Sequence, residues 1–485
     1  MSQLLLEPIL IATWQTIYMV FVSSFVAIIA GLTLGVILLI TRPNQLKACP
    51  WFYRVLGLVV SIVRSVPFVI FMIAIVPLTR VLAGTSIGTN AAIVPLTLGA
   101  IPFYARIAEA AMAEVDGGLI EAAHSMGATA WQIIYKVLIP ESLPSLIKGA
   151  TLTIIALVGY SAMAGAVGGG GLGELAIQYG YQQFNMPVMI ETVVILVILV
   201  QLVQCYGDYL EKVRRLLSVG VLSVVLIIAS IGVAIYSALP QQQALTIGIV
   251  AGPNQPIMAV AQQVAKQQYG LNLKIQVFSD YVLPNEAVNN GDIDANIFQH
   301  IPYLDGQIKA HGYQLTWVGK TFVYPMGVFS RQITSLSQLK YGDVVAIPND
   351  PSNEGRALAL FAAQGLITLK PGVTIMGTLQ DIVSNPHGLK FNTLDAAQLP
   401  RVFKDATLVA LTNDYDAAAG FKPNQAIFHE GPDAPYGNII VVQDKRKNDP
   451  VFQKLVDVMH SKAVYDETIK LFPDGAAIPA WKTGF

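Results

Sequence analysis

The chain has 485 residues, of which 54% are hydrophobic and 13% charged, with a formal net charge of -1 and a mean hydropathy of +0.55. It is too apolar for an ordinary soluble protein, and its near-neutral balance excludes a charge-driven nucleic-acid or other polyanionic partner. The apolar excess is uneven: residues 1–238 hold 11 Lys/Arg and 10 Asp/Glu, whereas 239–485 hold 19 and 21, so a membrane half precedes a soluble half.

In chain order, apolar runs near 13–40, 56–78, 91–113, 146–167, 186–209 and 216–238 each reach the length needed to cross the hydrocarbon of a bilayer. Six spans are expected. Pro95 and Pro102 interrupt the third run and Arg106 and Glu109 lie near its end, but membrane helices tolerate such prolines. Basic residues gather at Arg42, Lys47 and Arg54, at Lys136 in 114–145, and at Lys212, Arg214 and Arg215, which places these loops on the cytoplasmic side. The N-terminus and everything after the sixth run then lie outside. The first run is nearly 30 residues and lacks a small-residue cleavage site, so a signal peptide is not expected. Cys49 and Cys205 both fall in the membrane half, which leaves the soluble half without a disulfide framework.

The 114–145 loop carries helix punctuation. Asp116 can cap, Glu121-Ala122-Ala123 are good helix formers, and Gly127 ends the turn. Ile120, Ala123 and Met126 recur at helical spacing with His124 and Ser125 turned away, a pattern that a helix at the membrane interface would also show. The order Glu121-Ala122-Ala123, Gly127, Val137, Ile139, Pro140 resembles the EAA motif of ABC-importer permeases, EAA-x3-G-x9-I-x-LP, with Val for Ile and Ile for Leu. In that family the motif forms a coupling helix that enters a cleft on the ATPase subunit, and its Gly permits a tight turn. The resemblance implies a coupling helix near 116–135 and ATPase-coupling roles for Glu121, Ala122, Ala123, Gly127 and Pro140. TRPNQ (41–45), RSVPF (64–68), GTSIG (84–88), AAIVPLTLGAIPFYAR (91–106) and LVGYSAMAGAVGGGGLG (157–173) resemble the permease of bacterial methionine ABC importers. That family has five spans per subunit and works as a homodimer with two ATPase subunits, so the sixth run lies outside the resemblance.

Gly168–Glu174 has GxxxxG spacing but ends in Glu where a phosphate-binding loop has Lys, and no Ser or Thr follows to hold Mg²⁺. It reads as a flexible loop at the pore mouth. ATP hydrolysis and its Mg²⁺ are therefore expected on a partner subunit, with no cofactor or catalytic residue in this chain. Asp292-Ile-Asp294-Ala-Asn296 opens like a calcium loop but continues with Ile297 and Tyr303 where Gly and Glu are needed, and the six histidines lack ligand spacing, so no metal is assigned. Met163 lies among Ser161, Ala162, Ala164, Gly165 and Ala166; it is a candidate pore gate, with tight helix packing as the competing reading.

Beyond a polar linker at 239–243, the stretches 244–250, 273–278, 343–348 and 406–411 read as strands, and 255–268 and 354–365 as helices. This predicts an α/β domain of two lobes, which composition alone leaves open between a binding protein and a small enzyme. Arg356 follows Pro351–Gly355, where a helix begins, so a guanidinium and free amides can converge on one carboxylate. SDYVLPNEAVNNGDIDANIFQHIPYLD (279–305), GKTFVYPMGVFS (319–330), IPNDPSNEGRAL (347–358) and AAQLPR (396–401) resemble the methionine-binding lipoproteins that serve the same permease. The resemblance implies a two-lobed periplasmic binding protein that closes by a hinge. It also implies Arg356 as carboxylate ligand, Asn413 for the amino acid's polar groups, and Tyr281, Phe298, His300, Phe322 and Tyr324 around an apolar side chain. Those proteins carry a lipidated Cys; none stands near 239–250 here, and the sixth span takes over the anchoring.

The whole chain then reads as an all-α polytopic membrane domain of five spans (1–215), a sixth tether span (216–238), a linker (239–243) and an α/β two-lobed binding domain (244–485) on the extracytoplasmic side of the inner (plasma) membrane. The expected activity is import of L-methionine by a lipid-embedded homodimer driven by two copies of a separate ATPase. The alternatives are the same architecture for another amino acid or small peptide, or a membrane-anchored solute sensor. An enzyme is the weakest rival, because no nucleophile–base pair appears in the soluble half. On these assignments Arg356→Ala and Asn413→Ala are each expected to weaken methionine binding roughly tenfold, about 1.4 kcal/mol, in a domain that stays folded.

Overall fold

A computed structural model describes residues 3–43, 45–165, 168–182, 185–213, 244–252, 254–373, 376–416, 419–431, 435–473 and 477–482. The expected sixth span (216–238), the linker (239–243) and Ala166 lie outside the described residues. The chain divides into two compact units, residues 1–177 with 186–241 and residues 178–185 with 242–485.

The helical unit contains α1 (Gln3–Thr41), α2 (Pro50–Ser65), α3 (Phe68–Ala74), α4 (Val76–Ala83), α5 (Thr89–Ala113), α6 (Gly117–Ser125), α7 (Ala130–Ile133), α8 (Ile139–Gly165), α9 (Gly171–Leu175) and α10 (Met186–Val213). Among the described residues four helical stretches are long and apolar enough to cross a membrane, Glu7–Thr41, Thr89–Ala113, Ala130–Gly165 and Met186–Lys212. A fifth is reached if α2 and α3, bent by 106°, count as one. The run expected as a single span over 56–78 is thus broken. Val66 takes extended angles (φ -78°, ψ 127°) because the ring of Pro67 disfavours helix in the residue before it. Pro95 and Pro102, by contrast, sit inside an unbroken α5.

Small residues set how closely these helices approach. A Cβ on Gly31 or Gly35 of α1 would come within 2.9 Å of the Ile101 carbonyl oxygen or 2.7 Å of that of Ala105, both on α5. The Tyr104 hydroxyl donates to the Leu146 carbonyl on α8 at 3.2 Å. Arg106 donates to Glu109 at 2.7 Å and to the Gly57 carbonyl at 2.8 Å, so the charges near the end of α5 are paired inside the unit.

The glycine run expected to be a flexible loop is instead a buried, pinned turn. Gly170 N–H donates to Glu174 Oε2 at 2.7 Å, Gly171 N–H to Gln15 Oε1 at 2.8 Å, and Leu172 N–H to Thr16 Oγ1 at 2.9 Å. Positive φ at Gly168, Gly170 and Gly171 and the lack of side chains there bring the Gly171 and Leu172 amides against α1.

The second unit opens with β1 (Ala244–Val250), α11 (Asn254–Tyr269), β2 (Asn272–Phe278), α12 (Leu283–Asn290), β3 (Ala295–His300), α13 (Ile301–His311) and β4 (Leu315–Val323). It continues through β5 (Gly327–Phe329), β6 (Val344–Pro348), α14 (Pro351–Ala363), β7 (Thr368–Leu369), β8 (Ile382–Ser384), β9 (Lys390–Leu394), β10 (Leu408–Leu411), α15 (Asn413–Asp416) and β11 (Phe428–His429). It closes with β12 (Gly437–Gln443), α16 (Pro450–Met459), α17 (Lys462–Leu471) and β13 (Ile478–Pro479). A six-stranded sheet, β13-β4-β12-β3-β1-β2, forms one lobe and a five-stranded sheet, β11-β5-β10-β6-β9, the other. β1 pairs in parallel with β2 and β3, while β12 runs antiparallel to β3 and β4. Ile247, Ile249, Phe322 and Phe452 lie in the first lobe's core, and Val345, Ile347, Leu358 and Phe361 in the second's. Among the described residues the strand order changes lobe twice, between β4 and β5 at 324–326 and between β11 and β12, where Glu430 follows the one strand and Tyr436 precedes the other. Two such crossings side by side form a hinge.

Candidate functional site

The cleft between the lobes holds a cavity. Tyr281, Phe298, Gln299, His300 and Tyr303 line it from the first lobe, and Asn353, Arg356 and Thr412 from the second; Tyr324 and Asn438 complete the lining next to the crossings. The cavity is narrow and partly open to solvent, with ≈ 20 Å³ reachable by the centre of a water, so a solute enters when the lobes part.

The first lobe contributes an aromatic wall. Tyr281 stacks on Phe298 at 5.6 Å between ring centroids, and Tyr303 meets both edge-on at 6.0 and 5.9 Å. The Tyr303 hydroxyl donates to the Tyr281 carbonyl at 2.9 Å, and the Tyr281 and Thr412 hydroxyls share a hydrogen bond of 3.0 Å that joins the lobes. His300 ends β3 and caps α13. Its Nδ1 accepts the Tyr303 backbone N–H at 3.2 Å, so Nε2 carries the proton and donates to Asn353 Oδ1 at 3.3 Å. Burial and then the nearby charge of Arg356 push its pKa down to about 3, which keeps the ring neutral. Asn353 in turn donates through Nδ2 to Asp350, at 3.0 Å to each oxygen. Burial raises the pKa of Asp350 even though it accepts these bonds.

Arg356 sits in α14, 4% exposed, and is already engaged. Its Nε donates to Glu430 Oε1 at 2.6 Å, and its Nη2 to Glu430 Oε2 at 2.5 Å and to the Tyr324 carbonyl at 2.9 Å. The Tyr436 ring lies 4.2 Å from Cζ. The helix N-terminus is also in use: Asp350 accepts the Asn353 N–H through its side chain and the Glu354 N–H through its carbonyl.

Of the residues singled out in the sequence, Tyr281, Phe298, His300, Tyr324 and Arg356 meet at this cavity. Phe322 does not line it; it is buried in the first lobe's core, edge-on to Trp481 at 4.9 Å. The Asn413 side chain lies outside the described residues, although its neighbour Thr412 lines the cavity. Sequence reasoning missed Tyr303, Asn353, Thr412, Tyr436 and Glu430. Asn353 and Tyr303 stood inside the stretches that carried the resemblance; Glu430 lay beyond them all.

In the helical unit, Asp116 caps α6 by accepting the Gly118 N–H at 2.7 Å. Gly127 adopts φ +78° at the turn that follows, and Thr129 forms a reciprocal cap with Gln132 at the start of α7. Ala123 packs with Ile133, Ile134 and Leu138 against Leu39 and Met112. The apolar stripe stops there, for Met126 is 82% exposed, as are Trp131 at 73% and Tyr135 at 68%. Glu121, Ala122, Gly127 and Pro140 are exposed as well. Met163 is exposed on α8, while Ser161, Ala164 and Gly165 are buried; a Cβ on Gly165 would lie 2.3 Å from the Glu174 backbone nitrogen.

Apolar spanning helices with a capped, exposed loop, followed by two lobes hinged around a polar and aromatic cleft, define a transport protein that carries its own solute receptor. The chain belongs to two transport families: residues 27–216 match the binding-protein-dependent transport system inner membrane component and 245–481 the NlpA lipoprotein. It is accordingly a multi-pass inner-membrane protein built from non-enzymatic transport components. The N-terminal half is 54% identical over 206 residues to a probable D-methionine transport system permease protein of Vibrio cholerae, covering 42% of this chain and 92% of that protein. The C-terminal half is 47% identical over 240 residues to a D-methionine-binding lipoprotein of Salmonella typhi, covering 49% of this chain and 88% of that one. A nutrient binding protein from Burkholderia cenocepacia, solved bound to methionine, is 44% identical and covers 49% of this chain and 100% of its own, with a TM-score of 0.48.

Proposed function

We propose that this chain is the permease and the substrate receptor of a methionine importer in one polypeptide, driven by a separate ATPase subunit. One observation carries the reading: the two halves are 54% and 47% identical to a permease and a binding protein that are both named for D-methionine.

The cleft fits that reading. A thioether gains roughly 0.3–1.5 kcal/mol per aromatic contact, and Tyr281, Phe298 and Tyr303 offer three ring surfaces. Arg356, with Asn413 beside it in role, takes the carboxylate and polar groups. Phe322 supports Tyr324 from the core, their rings 6.1 Å apart, rather than touching the solute. In the helical unit α6, α7 and the helical turn Ile134–Leu138 that follows form the coupling element, which presents Glu121, Ala122, Met126, Gly127, Trp131 and Tyr135 to the ATPase, with Pro140 in the first turn of α8 behind it. Met163 gates the pore of a homodimer. Residues 1–215 are the permease, 216–238 the tether span, and 244–485 the receptor held outside the membrane. ATP and Mg²⁺ belong to the ATPase.

The test is uptake of labelled L- and D-methionine into proteoliposomes that contain the full chain and ATPase subunits copurified with it. ATP-dependent accumulation of either enantiomer is expected. Absence of a copurifying ATPase would overturn the import reading in favour of a sensor, and uptake of another amino acid but not methionine would overturn the substrate.

A further inference from the structure

We infer that Glu430 sets the charge of the cavity: as the built-in counter-anion of Arg356, it makes the site selective for a zwitterionic amino acid over the corresponding carboxylate anion. The inference rests on the proposed methionine site and deepens it.

The geometry is that of a fixed partner rather than a passing contact. Glu430 closes both oxygens on the Nε and Nη2 edge of Arg356, at 2.6 and 2.5 Å, with side chains 9% and 4% exposed. It is itself held at the hinge. Its Oε2 accepts the Met326 N–H at 2.8 Å and its backbone N–H donates to the Met326 carbonyl at 3.0 Å, so it bonds across the two crossing segments. Nε and Nη2 are thus taken, and Nη1 is the guanidinium nitrogen these groups leave for a solute carboxylate.

The charge balance follows. Among the described lining residues Arg356 alone carries a full charge, since His300 is held neutral by its bonds to Tyr303 and Asn353. Behind the lining, Asp350 accepts from Ser352 and Asn353 and interacts with the charge of Arg356, and Asp280 and Asp395 act with it on Tyr303, so these carboxylates add to the negative side of the balance; Glu430 is the one that closes directly on the guanidinium. Glu430 cancels Arg356. A solute with both a carboxylate and an ammonium adds no net charge to this balanced pair. One with a carboxylate alone places a second anion next to Glu430 in a desolvated site, where the repulsion is poorly screened. Without Glu430, Arg356 would be a bare buried cation and would favour the anion.

The experiment uses the full chain in detergent and isothermal titration with L-methionine and with its 2-hydroxy analogue, which keeps thioether and carboxylate but has hydroxyl in place of ammonium. Wild type is expected to bind methionine and to discriminate against the analogue. Glu430→Gln should narrow the ratio of the two Kd values tenfold or more, whereas Glu430→Asp, which keeps the charge, should hold the ratio within threefold of wild type. An unchanged ratio in Glu430→Gln, or equal narrowing in Glu430→Asp, overturns the inference; if the Gln variant does not fold, Glu430→Met, which likewise removes the charge, takes its place with the same two outcomes. Wild type that binds both solutes equally also overturns it and leaves the methionine site standing. Wild type that binds neither removes the site and the inference together.

Discussion

Replacing Arg356 by Ala should do more than remove a contact with solute. Arg356 and Glu430 form a bidentate pair with both side chains at or below 9% exposure, so the substitution leaves a carboxylate buried without its counter-charge. Breaking such a pair on one side costs about 3–5 kcal/mol, against a total stability of about 5–15 kcal/mol for a domain. At about 2–4 °C per kcal/mol for a domain of this size, the α/β unit should melt about 6–20 °C lower. The expectation drawn from sequence, weakened binding in an undisturbed domain, is therefore incomplete. Arg356→Met with Glu430→Leu removes both charges and should recover most of the stability while methionine binding stays lost. Hydrogen exchange in the full chain, followed on the buried strands β6 and β10, separates the second lobe from the helical unit. If Arg356→Ala exchanges there at the wild-type rate while losing affinity, the pair does not stabilise the lobe and the reasoning fails.

Gly127→Asp should abolish methionine uptake and leave methionine binding within about twofold. The position takes φ +78° with nothing within 4 Å, so the strain stays in the coupling turn; equal uptake would show that this turn's shape is irrelevant. His300 is held near pKa 3 in the fold against an ordinary value of 6.5, so as pH falls the unfolded chain takes the proton first. Its contribution to stability is lost below pH 6.5, by about 2 kcal/mol at pH 5. Asp350, with its raised pKa, acts in the opposite sense in both proteins, so His300→Gln should melt with less loss between pH 7 and pH 5 than wild type; parallel losses would refute the assignment. Gly35→Leu should prevent α1 from seating on α5, where even a Cβ would meet Ala108 Cβ at 2.8 Å, and should reduce the yield of folded protein in membranes; normal yield and uptake would mean the crossing is looser than drawn.

What the sequence made legible is what depends on neighbours in the chain. Four of the six apolar runs, the Asp116 cap, the Gly127 turn and the strands at 244–250 and 273–278 are local patterns, and each of these is found where its periodicity or turn chemistry puts it. Where local cues conflicted, the finer geometry decided: Pro67 broke a run that hydropathy joined, while Pro95 and Pro102 bent nothing out of helix. Phe322 and Tyr324 share a face, yet Phe322 lies within β4 under Trp481, whereas Tyr324 stands past the strand's end and reaches the cavity. Glu430 shows the limit most plainly. It is 74 residues from Arg356, follows a two-residue strand, and has no motif of its own. Its role comes from the second crossing between the lobes, which brings it beside both Met326 and Arg356. A residue that matters because two distant segments run side by side at a hinge leaves no periodic trace. The same crossing that hides it from the sequence also ties the charge of the site to the point about which the lobes move.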